Sequence, residues 1–222
     1  MSNGSYSVLL KDKIKEFNKS INVDSDKSIS IRSFLISSIS QGISKITNVL
    51  ESEDIFSTIN SIKKLNCKIK KIGKKSYKVY GKGLGSFYAK KNTILDLGNS
   101  GTGLRLITSI ISTTPNLKLL LTGDSSLRKR NMSKLISLMS KFGAEFFPKG
   151  KVNLPLRITS SELPVGIDYE SDNSAQLKSA VILAGLNSFG NTTISEKFKT
   201  RNHTENILLQ NSKSIVFEKK NL

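Results

Sequence analysis

Apolar positions recur with helical spacing in three stretches of this chain, and each stretch ends at a residue that breaks a helix. Ile55, Phe56, Ile59, Ile62 and Leu65 form one stripe, which stops at Asn66. Met132, Leu135, Ile136, Met139 and Phe142 form a second, which stops at Gly143, and Ile207 with Leu208 begins a third, which stops near Asn211-Ser212. Residues three and four apart share a helix face, so each stretch predicts an amphipathic helix with one buried side. Each passes into a short strand-like run: residues 67–72, residues 144–147 and Ile215-Val216-Phe217. Further short strands are predicted at 78–80, after the turn Gly73-Lys74-Lys75, and at 156–158, reached through Pro148-Lys149-Gly150.

Three other apolar helices begin differently, with clusters of small polar residues. Asp26-Lys27-Ser28-Ile29-Ser30-Ile31-Arg32 places a lysine, a hydroxyl and an arginine within two turns. Leu97-Gly98-Asn99-Ser100-Gly101-Thr102-Gly103 opens a helix through Leu104, Ile107, Ile110 and Ile111, with Arg105 in its first turn. Ser174-Ala175-Gln176 opens a third, through Leu177, Val181 and Leu183 to Leu186. A helix N-terminus presents unpaired N–H groups and the positive end of the macrodipole, so Lys27 and Arg32 there make a site for carboxylates or phosphates. Ser and Asp ahead of a helix also serve as plain caps, and at a single helix that reading competes with the first. Each of these starts follows a strand-like run.

Aligned on their helix ends, the two sets combine into a weak internal repeat of strand, helix, strand, helix, strand, strand, with a period of roughly 70 residues. The predicted fold class is therefore α/β (α+β), in three copies over about 23–84, 85–160 and 161–222. The third copy stops at Leu222, one strand short, which reads as a truncated chain.

At 222 residues, 37% hydrophobic and 23% charged, the chain can bury a proper core. Its longest apolar stretches, 117–121 and 180–186, are too short to span a bilayer, and polar residues 1–7 carry no secretory signal. One cysteine, Cys67, cannot form an internal disulfide, which fits a reducing cytoplasm. The net charge of +18 raises two classes of partner, nucleic acid and small polyanions. Aromatic residues make up 7% and the lysines are spread along the chain, which argues against a nucleic-acid footprint. The densest cluster, Lys68, Lys70, Lys71, Lys74 and Lys75, falls on a strand and turn and reads as solvated surface.

Five segments, taken in order, resemble the 3-phosphoshikimate 1-carboxyvinyltransferases, also called 5-enolpyruvylshikimate-3-phosphate synthases, of the enolpyruvyl transferase family. They are Asp26-Lys27-Ser28 with Arg32; Gly98-Asn99-Ser100-Gly101-Thr102; Thr122-Gly123-Asp124 with Leu127 and Lys129-Arg130; Ser174-Ala175-Gln176-Leu177-Lys178-Ser179-Ala180; and Thr200-Arg201 with His203-Thr204-Glu205. The resemblance implies a monomeric two-domain enzyme of about twice this length, each domain holding three copies of the unit above. Residues 1–22 would then be an arm belonging to the second domain, and 23–222 most of the first. It implies transfer of the enolpyruvyl group of phosphoenolpyruvate to the 5-hydroxyl of shikimate 3-phosphate, with release of phosphate and without metal or organic cofactor. Both substrates carry a phosphate and a carboxylate, and fixed Arg and Lys groups neutralise such charges well once water is excluded.

Carried over by resemblance, Lys27 would touch both substrates and is the best candidate here for proton chemistry, whereas Glu53 and Asp54 read as helix caps. Ser28 and Arg32 would hold the shikimate carboxylate, a group that a guanidinium can grip through two parallel bonds. Ser174 and Ala175 would meet the 3-phosphate, Gln176 would lie between the substrates, and Arg201 would sit near shikimate 3-phosphate. Asn99 and Gly101 would let the backbone approach phosphoenolpyruvate, with Arg130 as its charge partner. The remaining acids and arginines are expected in the second domain.

The chain departs from the family pattern in having Asp24-Ser25 before the first motif where Pro-Gly is usual, Ile31 where His or Asn is common, and Asn131 after Arg130 where proline is usual. Gly101, where some glyphosate-tolerant members have alanine, implies sensitivity of an intact enzyme. The related transferase acting on a UDP-amino sugar carries Lys-Asn in its first motif and a reactive Cys in a mobile loop. Here Ser28 follows Lys27, and Cys67 lies at a helix-to-strand junction and reads as a core residue. His203 has no second His or Cys nearby to make a metal site. The competing functional reading is a catalytically incompetent fragment that at most binds shikimate 3-phosphate.

Overall fold

The structure, a computed structural model, describes residues 7–9, 11, 18, 20–211 and 215–216. Asp26 sets the start of the first helix: its Oδ1 accepts from the Ile29 N–H at 2.7 Å, satisfying one of the donors that a helix N-terminus leaves unpaired. Helix α1 (Lys27–Ile39) then buries Ile31, Phe34 and Leu35 completely. It leads to β1 (Gln41–Ile46), α2 (Glu53–Lys64), β2 (Lys68–Gly73) and β3 (Ser76–Lys82). The three strands form an antiparallel sheet in the order β1-β3-β2. Tyr77 and Val79 alternate inward from β3, and the Tyr77 ring meets Phe34 edge-on at 5.3 Å.

Two expectations for this first copy are corrected. Among the described residues no strand precedes α1, because residues 20–26 are irregular and, apart from half-buried Ser25, exposed, and no neighbouring described strand supplies a ladder for Ile21 and Val23. Phe56 is 43% exposed, since it sits one position off the buried stripe of Ile55, Ile59, Ile62 and Leu65. The lysine cluster is on the surface as expected, with Lys68, Lys70, Lys71 and Lys74 exposed.

The second copy runs β4 (Thr93–Asp96), α3 (Gly101–Ser112), β5 (Lys118–Thr122), α4 (Ser125–Lys129), α5 (Ser133–Lys141), β6 (Glu145–Phe147) and β7 (Leu156–Thr159). β4 and β5 are parallel and joined through α3, while β7 pairs antiparallel with both β5 and β6. The short α4, capped by Asp124 Oδ1 on the Leu127 N–H at 2.7 Å, is an insertion that the repeat scheme did not contain. The third copy contributes β8 (Asp168–Ser171), α6 (Ala175–Gly185), β9 (Thr193–Glu196) and α7 (His203–Asn211), with β8 and β9 parallel. Of the strand expected at Ile215-Val216-Phe217, Ile215 and Val216 are described and are irregular, whereas Phe217 and most of the expected arm over 1–22 lie outside the described residues.

Helices α3 and α6 are buried almost all round, as expected for helices at the centre of a layered domain. They lie side by side and point the same way. At one end Gln176 Nε2 donates to Thr102 Oγ1 at 2.8 Å, and at the other Asn187 Nδ2 donates to the Thr113 carbonyl. Their positive N-termini therefore add at one end of the molecule.

Candidate functional site

That end collects most of the polar motifs. Ser100 caps α3, its Oγ accepting from the Gly103 N–H at 3.2 Å, and Ser174 caps α6 in the same way through the Leu177 N–H at 3.3 Å. The turn before α3 is held against the end of β5, because Asp124 N–H donates to the Gly98 carbonyl at 2.9 Å. This close approach requires glycine at 123, where a Cβ would stand 2.6 Å from that carbonyl oxygen. It also brings the end of α4 over the start of α3, so Arg130 Nη2 donates to Asn99 Oδ1 at 2.5 Å.

Gly101 sits beneath two guanidinium groups. A Cβ there would lie 2.5 Å from Arg130 Nη1 and 3.2 Å from Arg105 Nη1. Arg105 is half-buried, donates to the Gly101 carbonyl at 3.0 Å, and is pushed below its ordinary pKa by burial and then by the charge of Arg130. Two like charges at a helix N-terminus form a place for an anion, which relieves their repulsion. Beside them opens a cleft of about 390 Å³ lined by Arg105, Asn131, Ser133, Lys134, Ser174 and Gln176. Arg105 was not assigned a role from sequence, although its first-turn position beside the glycine motif was the signal that pointed to it.

The α1 start has a different character. Lys27 Nζ pairs with Asp54 Oδ2 at 2.8 Å, with half of the lysine side chain still exposed. Asp54 is thus the partner of Lys27 and makes no cap, and α2 has no side-chain cap bond at Ser52. Arg32 is 4% exposed. Its Nε donates to Thr204 Oγ1 at 2.8 Å, Nη1 to the Ser28 carbonyl at 3.1 Å and Nη2 to Ser179 Oγ at 3.0 Å. Burial pushes its pKa down; Glu205 opposes this, Arg201 adds to it, and Asp26 opposes it. Arg32 therefore clamps α1 to α6 and α7, and Ser28, half-buried, is held through its backbone.

The structure thus joins Asn99, Gly101, Arg130, Gln176 and Ser174 around the N-termini of α3 and α6, with Ala175 as the first residue of α6. Arg201 lies exposed just ahead of α7, near enough to Arg32 for their charges to repel. Cys67 is 2% exposed and donates to the Tyr80 carbonyl at 3.3 Å, and burial pushes its pKa up to about 11, the reverse of an activated thiol. His203 begins α7 half-buried, and among the described residues no group of three His, Cys, Asp or Glu is placed to hold a metal ion. No helix among them is long and apolar enough to cross a membrane.

Known proteins resemble this chain in sequence and in fold. The family model for EPSP synthase (3-phosphoshikimate 1-carboxyvinyltransferase) matches residues 11–220. The 3-phosphoshikimate 1-carboxyvinyltransferase of Paramagnetospirillum magneticum is 39% identical over 190 residues, covering 85% of this chain and 42% of its own length. That of Afipia carboxidovorans is 37% identical over 199 residues, covering 89% and 44%. The solved EPSP synthase of Acinetobacter baumannii superposes with a TM-score of 0.78 at 33% identity, over 85% of this chain and 42% of that one. The chain spans less than half the length of these relatives, and its mixed helix and sheet architecture is the enolpyruvyl transferase fold. The chain belongs to the EPSP synthase (3-phosphoshikimate 1-carboxyvinyltransferase) family.

Proposed function

We propose that the chain supplies the shikimate 3-phosphate side of an enolpyruvyl transfer from phosphoenolpyruvate. The observation that carries this reading is the pair of parallel, capped helix N-termini bridged by Gln176 and Thr102 and overhung by Arg130 and Arg105. One phosphate would sit on Ser174, Ala175 and Arg201, and the other at Gly101 between the guanidinium groups, with Gln176 between the two ligands. Lys27 would reach the reacting centre by exchanging Asp54 for substrate, and Ser28 with Arg32 would face the carboxylate of the ring. In this reading fixed cations neutralise the two dianions and polarise the leaving phosphate, so no metal or organic cofactor takes part. The same proposal includes an arm over 1–22, three copies over about 23–84, 85–160 and 161–222, and a monomer acting in the cytoplasm on small molecules, without nucleic acid or membrane.

A second reading, binding of shikimate 3-phosphate without turnover, is favoured by one observation: the relatives are more than twice as long as the part they share with this chain. Phosphorus NMR of shikimate 3-phosphate with the full chain, followed by addition of phosphoenolpyruvate, separates the two. A shifted 3-phosphate signal followed by growth of the inorganic phosphate signal supports turnover. A shifted signal without phosphate release supports binding alone, and an unshifted signal contradicts both.

A further inference from the structure

Helix α6 carries a lysine that belongs to none of the groups above. Lys178 is 2% exposed, and its Nζ lies 2.8 Å from Glu196 Oε1 and 2.6 Å from Glu205 Oε1. An ammonium this deep is tolerated only with close partners, and here it gathers two carboxylates from different elements. Glu196, at the end of β9, also accepts from the Thr200 N–H at 3.2 Å and Thr200 Oγ1 at 2.7 Å. Glu205, in the first turn of α7, is 5% exposed. Its neighbour Thr204 donates to Ser179 Oγ at 2.9 Å, and Ser179 in turn donates to the Ala175 carbonyl at 2.7 Å. Segment 196–205 is thus fastened to α6 at both ends, by consecutive residues Lys178 and Ser179, one turn beyond Ser174, Ala175 and Gln176. Arg201 lies between the two fastenings.

We propose that Lys178, through Glu196 and Glu205, is a positioning residue that sets Arg201 against the N-terminus of α6 and so determines how tightly a phosphate-bearing ligand is held there. The proposal rests on the ligand reading given above. Glu205 faces Lys178 on one side and feels Arg32 on the other, so the charges from α1 through α7 to α6 alternate in sign. Its second oxygen, Oε2, is buried with no hydrogen-bond partner among the described residues. The carboxylate is therefore held by charge geometry more than by a full set of bonds. Removing Lys178 would leave the buried Glu205 carboxylate unpaired and repelling the partly exposed one of Glu196, and the segment carrying Arg201 would relax away from α6.

The test uses the full chain as Lys178→Met and Lys178→Arg, with shikimate 3-phosphate titrated calorimetrically and the arginine Nε–H signals followed by ¹H–¹⁵N NMR without ligand. Lys178→Met should weaken binding by about tenfold or more, the loss of one well-oriented charge-assisted contact. It should also shift the Arg201 signal, and Lys178→Arg, which keeps the charge, should restore both. A Lys178→Met chain with affinity within about twofold of wild type and an unmoved Arg201 signal overturns the proposal. Where Lys178→Met fails to fold, the triple variant Lys178→Met, Glu196→Gln, Glu205→Gln removes the stranded charges; weak binding there supports the proposal and full affinity overturns it. If the wild-type chain does not bind shikimate 3-phosphate, the ligand reading fails by itself. The Arg201 signal then decides the positioning role: a shift restored by Lys178→Arg supports it and an unmoved signal overturns it.

Discussion

Arg32→Ala is expected to destabilise the fold before it does anything else. The guanidinium donates three hydrogen bonds, at 2.8, 3.1 and 3.0 Å, to groups on α1, α6 and α7, in a site where it is 4% exposed. Hydrogen bonds to a charged group contribute roughly 1.5–3 kcal/mol each, but their sum overstates the loss because removing the arginine also relieves the cost of burying its charge. Removing one partner from a buried ionic network costs about 3–5 kcal/mol. Thr204 and Ser179 still bond each other at 2.9 Å, and Ser179 keeps the Ala175 carbonyl, so the lower end applies, about 3 kcal/mol. With a urea dependence of about 2–3 kcal/mol per molar, the unfolding midpoint should fall by roughly 1–1.5 M, read by circular dichroism. A midpoint within about 0.2 M of wild type, with ligand binding abolished, would refute the clamp and leave Arg32 as a ligand-facing group alone.

Gly101→Ala should leave the melting temperature within about 2 °C, since its nearest neighbours are the movable ends of Arg130 and Arg105, while weakening phosphoenolpyruvate binding about tenfold in calorimetry; a large loss of stability with unchanged affinity would contradict this. Cys67 should react slowly with a chromogenic disulfide at pH 8 in the native chain and fully in urea, because its thiol is buried and pushed up to about 11; rapid native reaction would contradict its burial. Burial alone would raise the Glu196 pKa, but hydrogen bonds from Lys178 and Thr200 outweigh it and hold the group below its ordinary 4.5. The unfolded chain then takes up this proton more readily, so the stabilisation is complete above 4.5 and is lost as pH falls through the native value. Glu196→Gln should accordingly flatten the acid side of the stability profile, and an unchanged acid slope would show that the pair contributes nothing there.

Helix starts were the most legible part of the sequence, because caps act over three or four residues: Asp26, Ser100 and Ser174 each bond an N–H three positions on. Strand existence was legible where a turn forces a hairpin, as between β2 and β3, and failed before α1, where β-prone Ile21 and Val23 find no strand partner among the described residues. The site was legible as motifs and much less so as contacts. Lys27 with Asp54, Lys178 with Glu205 and Arg130 with Asn99 are separated by 27, 27 and 31 positions, and nothing in local spacing encodes such pairs. The same distance effect hid the double duty of Arg32: its place in a motif suggested a ligand, whereas burial by α7, far along the chain, makes it a clamp.

The most direct test of the account is calorimetric titration of the full chain with shikimate 3-phosphate and, separately, with shikimate. The paired helix N-termini and Arg201 predict one site for the phosphorylated ligand and binding of shikimate weaker by about a hundredfold or more, the contribution of a phosphate held by charge-assisted bonds. Equal affinity for the two ligands, or binding of neither, would contradict the assignment of this end of the molecule as a phosphate site.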